Sequence, residues 1–146
     1  MSEAGNQSAQ DELILLRSLI QRFPFWQRGR AILAERSLAV NDVATAYAEA
    51  QALRSLSRGS SLLHATSLSL LGQCYLKRGD GNAALPLFKQ ASDLRPQDFR
   101  IREEQAAAHV LVGERSDALE ILQRIPAAYL SAEGKAALQW LSSKPS

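Results

Sequence analysis

The stretch LLGQCYLKRGDGNAALPLFKQASDLRP, residues 70–96, contains two helical patterns on either side of a short break. The first begins two residues before the quoted stretch and has one face at the i, i+3, i+4, i+7 spacing: Leu68, Leu71, Gly72 and Tyr75. The second has a face of small and aromatic residues: Ala84, Phe88 and Ala91. Gly79-Asp80-Gly81 breaks the helix between them, and Asn82 can cap the second helix. A connection this short predicts an antiparallel helix hairpin.

Gly72 stands in the middle of the first helix, where glycine costs about 1 kcal/mol relative to alanine. That cost is tolerated where a second helix must approach closely. We therefore expect Gly72 to lie near Ala84 at the crossing of the two helices, with Phe88 filling the space beside it.

The same pattern recurs 34 residues later. The matched pairs are Gly72 with Ala106, Tyr75 with His109, Gly79 with Gly113, Ala84 with Ala118, and Phe88 with Leu122. A weaker copy lies 38 residues upstream: Ala34, Asn41, Ala46, Ala50 and Leu53. Its four extra residues fall around the stretch SRGSS, residues 57–61, which reads as a loop. A period near 34 is typical of helical-repeat arrays.

The repeat pattern predicts an all-α fold: an α-solenoid of about three helix hairpins, with an extra N-terminal helix and a C-terminal capping helix. Residues 1–10 have the composition of a flexible leader, and 11–142 form a single domain. The repeats cover about 27–58, 65–98 and 99–128, and the capping helix covers 131–142, with Ser131 as its cap. The N-terminal helix starts at Asp11, and its packing face is Leu15, Leu16, Leu19 and Phe23.

Composition excludes several classes of function. The chain of 146 residues has a net charge of +2, so nothing indicates a nucleic-acid partner. No apolar run is long enough for membrane insertion, and no basic start marks a secretory signal. We expect a cytoplasmic protein, or a soluble fragment of a larger or anchored one.

No catalytic or cofactor chemistry is predicted. Cys74, the one cysteine, reads as a small buried thiol, since no histidine is placed to activate it. His109 occupies an aromatic packing position, and His64 reads as a solvated residue at a helix start. Glu103 and Glu104 are neighbours on a helix and diverge, so they make a poor acid–base pair. We expect no enzyme, no cofactor and no metal.

Residues 25–142 resemble the tetratricopeptide repeat (TPR) family. The middle unit matches all eight signature positions of the family, with Leu in place of the usual Trp at the first: Leu68, Leu71, Gly72, Tyr75, Ala84, Phe88, Ala91 and Pro96. The outer units depart from it. His109 stands where Tyr is usual, Pro126 comes early, and the first unit has Ser37 in the Tyr position and no closing proline.

The resemblance implies a right-handed superhelix whose first helices line a concave groove. Groove positions carried over from the family give ten candidate partner-binding residues: Arg28, Glu35, Leu38, Ser69, Gln73, Leu76, Lys77, Arg100, Glu103 and Val110. Periodicity independently leaves Ser69, Gln73 and Leu76 off the core face. A row of Leu38, Leu76 and Val110 flanked by charges would suit an amphipathic helix or an extended segment.

One TPR subtype holds a partner's C-terminal carboxylate with a clamp of Lys, Asn and Arg. The corresponding positions here are Ala31, Glu35, Leu70, Arg100 and Glu104, of which only Arg100 fits. We therefore do not expect this clamp.

The resulting functional hypothesis is a non-enzymatic adaptor or scaffold that binds a peptide or amphipathic helix of another protein in the concave groove. Two alternatives stay open. The chain could be a dedicated chaperone for a secretion or appendage subunit, or it could be a scaffold that self-associates through the ends of the solenoid.

Overall fold

The computed structural model describes residues 3–143, and within that range the chain forms helices and no strand. Eight α-helices and one short 3₁₀ helix follow in order: α1 (Glu3–Arg22), α2 (Gln27–Ala39), α3 (Val43–Leu56), α4 (Ser61–Lys77), α5 (Gly81–Leu94), α6 (Phe99–Leu111), α7 (Arg115–Gln123), the 3₁₀ turn (Ala127–Tyr129) and α8 (Ala132–Ser143). The predicted all-α fold class is confirmed.

The helices stack in series, because each packs on the next one in the chain. The pairs α2–α3, α4–α5 and α6–α7 are the three predicted hairpins, with α1 and α8 at the ends. The first helices also touch one another, α2 against α4 and α4 against α6. They therefore form one continuous layer of the solenoid.

The three hairpin turns share one backbone conformation. Asn41, Gly79 and Gly113 have φ angles of 64°, 76° and 84°. This left-handed region strongly favours glycine, and asparagine is among the few other residues that enter it readily. The structure thus confirms the predicted correspondence of the three turns.

The crossing of α4 and α5 is close at Gly72, as predicted, but the nearest neighbour is Phe88 rather than Ala84. A Cβ atom added to Gly72 would lie 2.6 Å from a ring carbon of Phe88. Phe88 and Ala84 are both fully buried. Glycine is therefore needed at position 72 to admit the aromatic ring.

The four extra residues between the first two repeats extend a helix rather than a loop. α4 has 17 residues, whereas α2 and α6 have 13 each, so α4 is longer by 17 − 13 = 4. It starts at Ser61, ahead of the predicted residue 65, because the Ser60 side chain accepts a hydrogen bond from the backbone N–H of Leu63. α5 is likewise capped by Asp80 and not by Asn82.

The N-terminal helix differs from prediction in length and in packing face. α1 begins at Glu3 and not at Asp11, so the predicted leader is helical from its third residue; residues 1 and 2 lie outside the described range. Its buried face consists of Leu13, Leu16 and Ile20, which pack on Leu33 of α2. Leu15 is 60% exposed. Of the predicted face, Leu16 is buried and Leu19 is half-buried, whereas Phe23 is exposed like Leu15, so the prediction is correct only in part.

Within residues 3–143, no helix combines the length and the hydropathy needed to span a bilayer.

Candidate functional site

The layer of first helices contains a cavity of about 80 Å³ between α4 and α6, with Glu35 of α2 at its side. Its polar lining residues are Glu35, Thr66, Ser69, Gln73, Arg95, Asp98, Arg100 and Glu104. The apolar ones are Leu62, Ala65, Leu70 and Ile101. We call this set of residues the groove.

Glu104 is the centre of a hydrogen-bond network in the groove. The Ser69 hydroxyl donates to its Oε2 at 2.7 Å, and the Gln73 amide donates to its Oε1 at 3.2 Å. The Gln73 amide also lies 3.2 Å from the Ser69 hydroxyl oxygen. Arg100, one turn earlier on α6, places its Nε 3.5 Å from Oε1. The network links α4 to α6, because Ser69 and Gln73 of α4 both donate to the carboxyl group of Glu104 on α6.

The Glu104 carboxyl titrates near neutral pH. Burial raises its pKa from the ordinary 4.5 to about 7. The Ser69 and Gln73 hydrogen bonds and the charge on Arg100 oppose this rise, while Asp98 adds to it. The side chain is only 15% exposed, so little water compensates its charge. Near neutral pH both protonation states are therefore populated. The ionised carboxylate only accepts hydrogen bonds, whereas the protonated carboxyl group can also donate one.

The groove brings together four of the ten predicted residues: Glu35, Ser69, Gln73 and Arg100. It also contains a residue that the sequence analysis missed. The sequence pattern predicts Glu104 neither as a groove residue nor as half of an acid–base pair. A signal was present, because the 34-residue period aligns Glu104 with Leu70, which is buried. A carboxylate at a repeat position that is otherwise buried indicates a specific polar site.

The predicted apolar row does not lie open in the groove. Leu38 is buried in the core cluster of the first hairpin, and its side chain is inaccessible to a partner. Leu76 packs against the cluster around Phe88, and Val110 packs against the cluster formed with α7 and α8. None of these three residues lines the groove, so the surface beside Glu104 is more polar than the prediction of a mixed groove implied.

Glu103 anchors α8 instead of facing the groove. Its Oε2 accepts a hydrogen bond from the Ser131 backbone N–H at 3.0 Å, and its Oε1 accepts one from the Ser131 hydroxyl. The Ser131 oxygen in turn accepts from the N–H of Gly134 at 2.9 Å, which confirms Ser131 as the cap of α8. The two remaining predicted residues, Arg28 and Lys77, are exposed and lie outside the groove lining.

The reactive side chains are placed away from this network. Cys74 is fully buried in the core, and burial raises the pKa of its thiol, so the nucleophilic thiolate is disfavoured. His109, Glu114 and Asp117 bring three ligand atoms within 4.8 Å of one another. These three could hold a cation, but both carboxylates lie at the start of α7, where the helix dipole already favours them.

The second half of the chain matches a known family of repeats. A family model described as tetratricopeptide repeat covers residues 75–141. Residues 75–141 are thus similar to tetratricopeptide repeats. Repeats of this kind generally serve as protein–protein interaction modules.

Two solved structures have a fold similar to that of this chain over nearly its whole length. A thermophilic TPR protein of Thermus thermophilus has a TM-score of 0.77 at 19% identity, covering 94% of this chain and 75% of its own. The MamA protein has a TM-score of 0.71 at 13% identity, covering 96% of this chain and 80% of its own. Identities this low establish the likeness of fold alone. Among curated proteins, no sequence matches this chain.

Proposed function

We propose that this TPR domain binds an extended segment of a partner protein in the groove, with Glu104 as the principal contact. The observation that carries the proposal is the network of Ser69, Gln73, Arg100 and Glu104. Burying a carboxyl group costs stability, so a buried carboxyl group in a surface cavity indicates a functional role. Its oxygens can form hydrogen bonds with a partner.

The charges of the groove favour a basic anchor side chain on the partner. Three carboxyl groups line the cavity, from Glu35, Asp98 and Glu104, together with two exposed arginines, Arg95 and Arg100. A lysine or arginine inserted into the cavity would meet the Glu104 carboxylate in a partly desolvated setting, where ion pairing is stronger than at an open surface. The polar lining favours an extended segment over an amphipathic helix, which needs an apolar groove.

A peptide selection tests this proposal. A random peptide library is selected on the purified domain, and the affinity of the enriched peptides is measured by calorimetry. The groove variant carries Arg95→Glu with Arg100→Glu, and the matched control carries Lys89→Glu with Lys135→Glu, two exposed positions on α5 and α8.

We expect the enriched peptides to contain a basic residue. Their affinity should rise at least tenfold in the groove variant, because two guanidinium groups that repel the basic residue become carboxylates, while the control variant should bind as the wild type does. Replacing the basic residue of the peptide by norleucine should remove most of the binding. Peptides that bind both variants as well as the wild type would show that the binding surface lies elsewhere.

Self-association is a second candidate, and one observation favours it. The outward side of α1 exposes Ile14 and Leu15, and Phe23 and Phe25 are exposed at its C-terminal end. Apolar side chains grouped in this way can bury surface against a second copy of the chain. Light scattering over a concentration series would detect the dimer, and Leu15→Glu with Phe25→Ser should abolish it.

The chaperone alternative uses the same groove on an obligate client, and the described residues add no feature specific to it. The chaperone role therefore remains a prediction from the sequence. The same holds for the cytoplasmic location and for the expectation that the protein has no catalytic activity, no nucleic-acid partner and no cofactor.

A further inference from the structure

A second surface cleft, distinct from the groove, lies between the end of α3 and the start of α4. Its volume is about 470 Å³, and its lining residues are Gln51, Arg54, Ser55, Arg58 and His64. Every one of these side chains can donate a hydrogen bond, and none is a carboxylate. The cleft shares no residue with the groove.

The two arginines of this cleft are not neutralised within the protein. Elsewhere in the first hairpin, Arg30 pairs with Glu49 at 2.8 Å and Arg36 with Glu12 of α1 at 2.9 Å. Across residues 3–143, the side chains of Arg54 and Arg58 form neither an ion pair nor a hydrogen bond.

The dipole of α3 alone does not account for this clustering. Arg54 lies in the last turn of α3, where the helix dipole favours a cation. That effect explains one positive charge at the helix end. It does not explain why Arg58 from the connection and His64 from the next helix line the same cleft.

A hydrogen bond to Ser57, at the C-terminal end of α3, holds the ring of His64 in place. Its Nδ1 lies 3.2 Å from the hydroxyl of Ser57, which is itself fully buried at the end of α3. The other ring nitrogen, Nε2, has no partner among residues 3–143. His64 belongs to the first turn of α4, the part of that helix that exceeds the length of α2 and α6. The additional turn thus supplies a residue to the cleft.

We propose that this cleft binds a phosphate group, with Arg54 and Arg58 as its charged ligands and His64 Nε2 as a further donor. A guanidinium matches the oxygens of a phosphate in a bidentate fashion, and two of them on one small surface suit a dianion. The cleft is open to solvent and has a volume of about 470 Å³, which leaves room for a phosphate group. The source can be free phosphate or a phosphorylated side chain of a partner.

Proton NMR of the histidine rings tests the proposal, because the chain has only two histidines, His64 and His109. Inorganic phosphate is titrated at constant ionic strength, with chloride as the compensating salt. We expect the His64 ring signals to shift with saturation while the His109 signals stay in place. Arg54→Gln with Arg58→Gln should weaken the apparent affinity at least tenfold.

The charge-matched control is Lys89→Gln with Lys135→Gln, which removes two positive charges from α5 and α8 and should leave the His64 titration unchanged. A serine phosphopeptide, compared with inorganic phosphate, distinguishes the two sources: tighter binding of the phosphopeptide indicates a partner protein, and tighter binding of inorganic phosphate indicates the free ion. The unphosphorylated peptide should leave the His64 signals in place. A His64 response that does not saturate, or that survives in the double arginine variant, would overturn the proposal.

Discussion

Replacing Glu104 by glutamine should make the domain more stable at alkaline pH and change little at acid pH. The unfolded chain releases this proton near the ordinary pKa of 4.5, whereas the folded chain releases it near 7. Between those values the folded state binds more protons, so the wild-type free energy of unfolding falls as the pH rises. Glutamine has the shape of the protonated acid and removes this loss.

The magnitude follows from the two pKa values. At 1.36 kcal/mol per pH unit, the rise from 4.5 to about 7 corresponds to about 3 kcal/mol in full. Because the unfolded chain is already partly ionised at pH 5, about 2–3 kcal/mol of that loss falls between pH 5 and pH 8. The stability advantage of Glu104→Gln should therefore grow by about 2–3 kcal/mol over this interval.

Urea denaturation at pH 5 and pH 8, followed by circular dichroism, measures the difference. Asp93→Asn on the exposed face of α5 is the control, because it removes one carboxylate from a solvated position. Subtracting the wild type at each pH cancels the contributions of the two histidines. An advantage of Glu104→Gln that is equal at the two pH values would refute the reasoning, since it would mean that Glu104 ionises freely in the folded state.

Three further predictions concern the fold. Gly72→Leu should destabilise the domain by about 1–3 kcal/mol in urea, because its Cβ would lie 2.6 Å from the Phe88 ring; an unchanged midpoint would contradict the close crossing. Glu103→Ala should cost about 1 kcal/mol at the cap and accelerate amide exchange in α8 alone. Cys74 should react with a thiol reagent only after denaturant is added, and rapid reaction in buffer would show that the core opens there.

The sequence was sufficient to predict the hairpin architecture, for a physical reason. Turns in the left-handed region admit few residue types, and the close approach of the Phe88 ring to α4 requires glycine at position 72. Both requirements restrict the residue types at certain positions, and these positions recur in the sequence with the period of the structural repeat. Asn41, Gly79 and Gly113 therefore mark the three turns in the sequence itself.

The groove could be predicted only in part, because burial depends on neighbouring helices. Leu38 and Ser69 both occupy groove positions of the family, yet Leu38 is taken up by the core and Ser69 bonds Glu104. Glu103 and Glu104 are adjacent in sequence but face different partners, α8 and α4 respectively. Periodicity cannot distinguish these outcomes, since the burial of Leu38 depends on α3 and α4, and the partner of Glu103 depends on the cap of α8.

The central claim is that a partner segment binds the groove around Glu104. Its most direct test is amide chemical-shift mapping of the isotopically labelled domain during titration with a selected peptide that contains a basic residue. We expect shifts confined to the segments that line the groove, residues 62–73 and 95–104 and the surroundings of Glu35, together with a fall in the pKa of Glu104 in the complex. Shifts confined to α1 or α8, with the pKa of Glu104 unchanged, would contradict it.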